Sequence, residues 1–397
     1  MPNKQLKKCS ICSSNNLKEL LDLPSLPLTG LYFPTKEQAL SSDSYYDQGL
    51  NMCKVCGHVQ LRNAIDPAKV YDETYTHRSS GSPISKSGND FLFNYLNTKF
   101  NINSETKLLE VGCNDGYLLE KTSLKTKSAI GIDPIWIKNT PPKSDSYQIV
   151  GGYASEVQSK IPPKYSPNFV VSAHTFEHTV SLFDELKFVV DFADEGSDFV
   201  IEMPSFDTLL RLRRFDQVFH QHIQYISESS ISALVNRLKC TLIDIQYNYN
   251  YWGGTVIFSF KKGLHKDHNF LIKKINSLSS IEKGISDFNL YRNLLSRQVS
   301  FHEKIYYLGA AQMLPILHYH LKSEIPNIEA IFDDNKLRIG KFLPSLDKDI
   351  IPLAEIKKEE FFSSGLIVGA VDSGKALISR TRDIGLANIY SYYQNII

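Results

Sequence analysis

A chain of 397 residues exceeds the size at which one hydrophobic core usually keeps growing, so two or three domains are expected. Apolar residues make up 42% and charged residues 22%, the balance of an ordinary globular protein, and a net charge of +1 gives no electrostatic reason for a nucleic-acid or membrane partner. The opening residues MPNKQLKKCS lack the apolar core of a secretory signal, and no apolar run is long enough for a membrane span; cytoplasmic residence, with cysteines as thiols or metal ligands, is the default expectation.

The first elements in chain order are two CxxC pairs, Cys9-Ser-Ile-Cys12 and Cys53-Lys-Val-Cys56, with 40 residues between them. Each pair lets two thiolates converge on one tetrahedral cation, and two pairs complete a zinc site with no open position, which makes it structural. A zinc ribbon that grips nucleic acid is the rival use, but the segment has no basic and aromatic patch. The proline-rich LPSLPLTGLYFP at 23–34 predicts extended loop rather than helix. Cys113 and Cys240 stand unpaired and fit small core residues. A polar segment follows at 70–91, rich in hydroxyls and aromatics, in a position suited to substrate contacts.

LLEVGCNDGYLL at 108–119 then reads as strand, glycine turn and helix start, and IGIDP at 130–134 as a second strand ending in an acid. Gly112 and Asp133 lie 21 residues apart, the length one β-α-β unit needs to set an acid beside a ribose. Gly112 and Gly116 allow a tight turn close to a ligand. A dinucleotide loop would read GxGxxG; here Glu110, Asn114 and Asp115 make the turn acidic, which repels pyrophosphate and suits a cationic nucleoside. S-Adenosylmethionine, with its sulfonium and ammonium, is the expected ligand.

Strands and helices alternate from about 106 to 260 through KLLEVG, SAIGID, NFVVSAH, DFVIEMP, TLIDIQYN and GTVIFSFKK, with VSLFDELKFVVDFAD as an amphipathic helix. That alternation predicts a mostly parallel sheet covered on both faces. The charged span 273–298 predicts a linking helix pair, and KIYYLGAA, IEAIFDD and LIVGAV a second α/β set, a further Rossmann-like domain. The domains are drawn at 1–66, 67–262 and 263–397.

SAHTFEH, Ser172 to His178, closes a strand at the edge where open α/β sheets hold ligands, so Ala173 and His174 are candidates to line the cofactor. Glu177 and His178 fit a capping and surface role equally well. FDQVFHQHIQYIS carries His220 and His222 around Gln221. Two histidines at i, i+2 would share one face of a strand or point apart on a helix. Metal binding would need a third ligand, and no carboxylate sits at useful local spacing. A histidine is the commonest general base near neutral pH.

Taken together in this order, the two CxxC pairs, CGHVQL at Cys56–Leu61, EVGCNDG at Glu110–Gly116, EMPS at Glu202–Ser205, FHQHIQY at Phe219–Tyr225, WGGT at Trp252–Thr255, Gly309–Ala311 and DDNKLRIGKFLP at Asp333–Pro344 are specific. The chain resembles the zinc-containing, S-adenosylmethionine-dependent NDP-sugar C-methyltransferases, which act on 4-keto-6-deoxy sugars. The resemblance implies a class I methyltransferase Rossmann-like sheet flanked by an N-terminal four-cysteine zinc-binding domain and a C-terminal Rossmann-like domain that closes the cleft and helps hold the nucleotide sugar. In that family the middle segment reads Tyr-His-Glu-His, and its second histidine removes the proton beside the ketone; that position here is His222. Tyr75, or His77 two residues on, lies where the family uses a tyrosine hydroxyl. Phe219 stands for a tyrosine, Gln221 for a glutamate, Trp252 for a histidine and His77 for a second tyrosine. The departures cluster in the implied acceptor pocket while the cofactor turn is intact. The other readings are an O- or N-methyltransferase, or one for another activated metabolite, on the same scaffold, and a non-catalytic paralogue that binds cofactor or sugar nucleotide.

Overall fold

The computed structural model describes residues 4–66, 69, 78–162, 164–264, 276–321, 325, 328–355, 364–370, 374–383 and 388–391. The central layer is a seven-stranded sheet whose strands are, in chain order, β1 (Lys107–Val111), β2 (Ser128–Asp133), β3 (Gln148–Gly151), β4 (Phe169–Ala173), β5 (Asp198–Pro204), β6 (Cys240–Asn248) and β7 (Thr255–Lys262). Their spatial order is β6-β7-β5-β4-β1-β2-β3. The run from β3 to β5 is parallel; β7 lies antiparallel to both β5 and β6. The expected mostly parallel sheet is thus modified at one side, because the short Tyr249–Gly254 connection between β6 and β7 can only join antiparallel neighbours.

Valines, isoleucines and leucines buried on both faces of β1, β4 and β5 explain why these runs pair as inner strands. Helix Leu182–Phe192 covers one face with Leu182, Leu186, Val189 and Val190, an i, i+4, i+7, i+8 stripe. Cys113 and Cys240 are both buried among the apolar side chains of the core.

The zinc-binding region is an antiparallel sheet of Leu17–Pro27, Tyr45–Cys53, Val59–Leu61 and Gln224–Tyr225. Two points depart from expectation. The first prolines of the 23–34 stretch end a long strand with two register shifts instead of lying wholly in loop. The fourth strand comes from the histidine segment more than 150 residues away, so the edge of the zinc sheet is built by the middle of the chain. Leu50, Val59 and Leu61 share one core with Phe219, Ile223, Tyr225 and Phe288. That shared core fixes the histidine segment against the zinc domain.

The span expected as a helix pair is, in its described part, one helix, Leu278–Val299, which buries Ile281, Ile285, Phe288, Leu295 and Val299. Beyond it, Ile350–Ile351, Ile328–Phe332, Ile305–Leu308, Gly365–Val368 and Ile389–Ser391 form a parallel five-stranded sheet in that spatial order. This is the second α/β set. Its crevice is already engaged. Asp333 Oδ2 accepts from the Ala310 amide (2.8 Å) and from Arg338 (3.2 Å), while Tyr32 of the zinc domain donates its hydroxyl to Ala310 O (2.9 Å) beneath the Arg338 guanidinium. Among the described residues no helix is long and apolar enough to cross a membrane.

Candidate active site

The C-terminal ends of β1, β2 and β4 meet at one edge of the central sheet, where open α/β folds leave a crevice. Gly112 leaves β1 with φ +74°, and a Cβ there would stand 1.8 Å from Thr175 Oγ1, so only glycine lets this turn pass the turn after β4. Gly116, at φ +83°, opens helix Tyr117–Ser123. The backbone of Asn114, also at positive φ, donates to Asp133 Oδ2 (2.8 Å), and Asp133 Oδ1 caps Ile135 (2.9 Å). The Asn114 and Asp115 side chains take hydrogen bonds from Ser79 and Ser80, so the polar segment before the sheet does fold over this turn. Tyr75 and His77 of that segment lie outside the described residues.

The turn is acidic and incompletely satisfied. Glu110 Oε2 and Asp115 Oδ1 are buried and, among the described residues, have no hydrogen-bond partner. Burial, with Asp133 and Asp115 close by, raises the Glu110 carboxyl well above its ordinary range. Burial also raises Asp133, against the pull of its two backbone amides. A buried acceptor without a donor costs about 1–3 kcal/mol, so these oxygens are poised for a cationic or hydroxyl-bearing ligand. The donor set therefore fits S-adenosylmethionine, with Glu110, Gly112, Asn114, Asp115, Gly116 and Asp133 on the nucleoside side and Ala173 and His174 at the end of β4.

His174 begins a second group. It sits at φ +51°, and its Nδ1 lies 3.2 Å from Glu177 Oε1. Glu177 has a side chain with 0% exposure, and its Oε2 has no hydrogen-bond partner among the described residues. The surface role open to this residue is thereby excluded. His178 donates Nδ1–H to the Gln221 carbonyl (2.7 Å), which turns Nε2 toward Glu177 Oε1 at 3.8 Å. His222 packs its ring on Phe219 (4.2 Å between centroids) and faces His178 at 5.2 Å and Trp252 at 6.1 Å. One ligand atom each from Glu177, His178 and His222 lie within 4.8 Å of one another. Sequence spacing gave no sign of this carboxylate, because it arrives from a turn 45 residues upstream of His222.

Charge in this group is set by burial and by the neighbours. Burial pushes Glu177 up, yet His178, the bond from His174 and then His222 outweigh it and hold the carboxyl at about 2. For His222, burial first and the His178 ring second lower the imidazole to about 3, against the pull of Glu177. His222 is therefore a neutral, buried ring, and among the described residues no hydrogen bond ends on it.

The two other residues singled out beside His222 face elsewhere. His220 donates Nε2–H to Leu26 O (3.0 Å) and accepts from Gln48 at Nδ1 (3.2 Å), both in the zinc sheet. Its segment is a turn, so the i, i+2 pair points apart rather than sharing a strand face. The Gln221 carboxamide accepts from Thr29 Oγ1 (2.8 Å) and Gln312 Nε2 (3.0 Å), which links the zinc domain, the central domain and the C-terminal sheet. Neither side chain reaches the histidine–carboxylate group, which corrects their place in the candidate catalytic set.

The four cysteines converge as the CxxC pairs require. Cys9 and Cys56 sulfurs lie 3.5 Å apart, Cys12 and Cys53 sulfurs 3.4 Å, and all four fall within 4.8 Å of one another. A tetrahedral zinc with bonds of about 2.3 Å sets its thiolates about 3.8 Å apart, so the geometry fits. Ser13 and Gly57, both at positive φ, close the two knuckles.

A family model described as "Putative zinc binding domain" matches residues 9–71, and one described as "Methyltransferase domain" matches residues 88–245. Among curated proteins the chain is similar to C-methyltransferase NovU of Streptomyces niveus, with 21% identity over 257 residues. The match covers 64% of this chain and spans 60% of the length of that relative. Similar solved structures include the N-methyltransferase NodS of Bradyrhizobium japonicum in complex with S-adenosyl-L-homocysteine (14% identity, TM-score 0.36, covering 48% of this chain and 93% of that one). Another is magnesium protoporphyrin IX methyltransferase ChlM of Synechocystis PCC 6803 with bound S-adenosyl-L-homocysteine (9% identity, TM-score 0.36, covering 47% and 90%). Residues 88–245 are accordingly a methyltransferase domain of the class I, S-adenosylmethionine-binding α/β type, preceded at 9–71 by a zinc-binding domain built on four cysteines.

Proposed function

We propose that the protein transfers a methyl group from S-adenosylmethionine to carbon of a nucleotide-activated 4-keto-6-deoxy sugar, with His222 as general base. The observation that carries this reading is the buried imidazole of His222, held within 4.8 Å of the His178 ring and the Glu177 carboxylate. The likeness to a C-methyltransferase supports carbon as the acceptor.

When bound, S-adenosylmethionine supplies a methyl that is already electrophilic. The protein's task is then to create a nucleophilic carbon and hold it in line. Glu110, Asp115 and Asp133 hold the cationic nucleoside, and the Gly112 turn brings backbone against it. His222 takes the proton from the carbon beside the ketone, and the electron pair moves to the ketone oxygen as an enolate. Phe219 and Trp252 pack beside the ring. Tyr75 or His77 is assigned the hydrogen bond to the enolate oxygen, and the zinc site is structural.

Purified protein incubated with S-adenosylmethionine and a panel of NDP-4-keto sugars is expected to give a product heavier by one methyl, together with solvent-deuterium exchange at the carbon beside the ketone. His222→Ala should lose both and keep its cofactor affinity. Normal turnover in that variant refutes the base assignment, and a methyl on oxygen or nitrogen moves the reaction to the alternative acceptor class.

A further inference from the structure

We propose, resting on the reading of His222 as base, that Glu177 is the positioning residue of this site: the buried carboxylate that holds His222 ready and stabilises the imidazolium it becomes. The argument starts from what surrounds His222. Its sequence neighbour Gln221 is uncharged, and its carboxamide is occupied by Thr29 and Gln312. Three groups bear on His222 electrostatically: His178, Glu177 and His174. Of these only Glu177 is anionic. Glu202 faces His174 from β5 and is itself bonded to Thr255 (2.5 Å), and Tyr251 stands 5.0 Å from His174, ring to ring; neither bears on His222 directly.

Glu177 is placed to answer a positive charge on His222. One oxygen takes the hydrogen bond from His174, and the other is buried with no hydrogen-bond partner among the described residues. A proton arriving on His222 supplies that charge. As the carbon–hydrogen bond breaks, the proton goes to a ring nitrogen of His222 and the electron pair stays on the substrate as the enolate. The carboxylate, already facing His174 and His178, then gains a cation on His222 within 4.8 Å. The low dielectric that disfavours the free carboxylate strengthens this pairing.

The test is solvent-deuterium exchange into dTDP-4-keto-6-deoxyglucose and the rest of the keto-sugar panel, without methyl donor, as a function of pH. In Glu177→Gln the plateau exchange rate should fall about 100-fold, the range expected for a charge acting on a general base, and the acidic limb should move to lower pH by about one unit. Glu177→Asp keeps the charge and should keep the limb near its wild-type position with a lower plateau. A merely structural role would damage both variants alike and leave the limb unmoved, and that result overturns the proposal. Wild-type exchange in Glu177→Gln with none in His222→Ala overturns Glu177 and leaves His222 standing. No exchange with any sugar in the wild type overturns both. A second bound zinc, present in the wild type and absent in Glu177→Gln, also overturns it, because Glu177, His178 and His222 would then be ligands.

Discussion

The main-chain amide of Asn114 donates a 2.8 Å hydrogen bond to Asp133 Oδ2, which ties the glycine turn to the acid ending the next strand. The carboxylate is thus oriented before any ligand arrives, while Glu110 beside it keeps one oxygen without a donor among the described residues. Because burial raises the Glu110 carboxyl, a bound cation should drive its proton off. Calorimetry with S-adenosylmethionine in buffers of different ionisation enthalpy should show proton release. In Glu110→Gln the release should shrink and affinity fall by about 1.5–3 kcal/mol, the value of a charge-assisted contact.

Gly112→Ala should be more damaging than most glycine substitutions. The new methyl meets Thr175 at 1.8 Å, and φ +74° is strained for alanine. Strain of this kind costs about 1–3 kcal/mol before the clash is added. Denaturant unfolding should show a loss above that range, with cofactor binding lost as well.

Protein grown with zinc should hold one equivalent per chain, and Cys53→Ser should hold almost none. Metal analysis and thermal melting check this together. Melting should drop sharply, since structural zinc binding is folding free energy of about 10 kcal/mol or more.

The side chain of Glu177 gives a stability signature in acid. Its folded value of about 2 lies below the ordinary 4.5, so it contributes stability above pH 4.5 that is lost as pH falls toward 2. Wild type should therefore lose stability over this window more steeply than Glu177→Gln, as urea unfolding at a series of pH values would show.

Gln221→Ala should loosen the junction of the three parts and spare the orientation of His178, which is held by the main-chain carbonyl of residue 221. A loss of about 1–3 kcal/mol is expected. Faster amide exchange around 309–312 and 28–31, with unchanged exchange in β1 and β4, is the pattern to look for.

Local features were legible in the amino-acid order. The two cysteine pairs, the Gly112 turn and Asp133 are set by neighbours a few residues away or by one β-α-β unit, and such spacings survive as motifs. Six of the seven β-strands of the central sheet were readable as apolar or alternating runs, whereas the four-residue β3, Gln148–Gly151, is too short to leave such a pattern. What escaped was anything decided across long separations. Glu177 meets His222 only because the turn after β4 folds against the histidine segment, where Ile223 donates its amide to Glu177 O (2.7 Å). The i, i+2 histidines diverge because their segment is a turn pinned on one side by Gln48 and Leu26. The pairing of Gln224–Tyr225 with Val59 and Gln60 has no local signature at all.

That last pairing has a reach beyond architecture. His58, two residues after Cys56, hydrogen-bonds Gln224 at 2.8 Å, and Gln224 lies two residues after His222. The cysteine knuckle and the proposed base are thereby stitched together, and Cys9, Ile11 and Cys53 also share a core with Val111 and Val170 of the central sheet. Loss of zinc would therefore strip support from both sides of the cleft at once, and capture of the methyl donor would fail together with turnover.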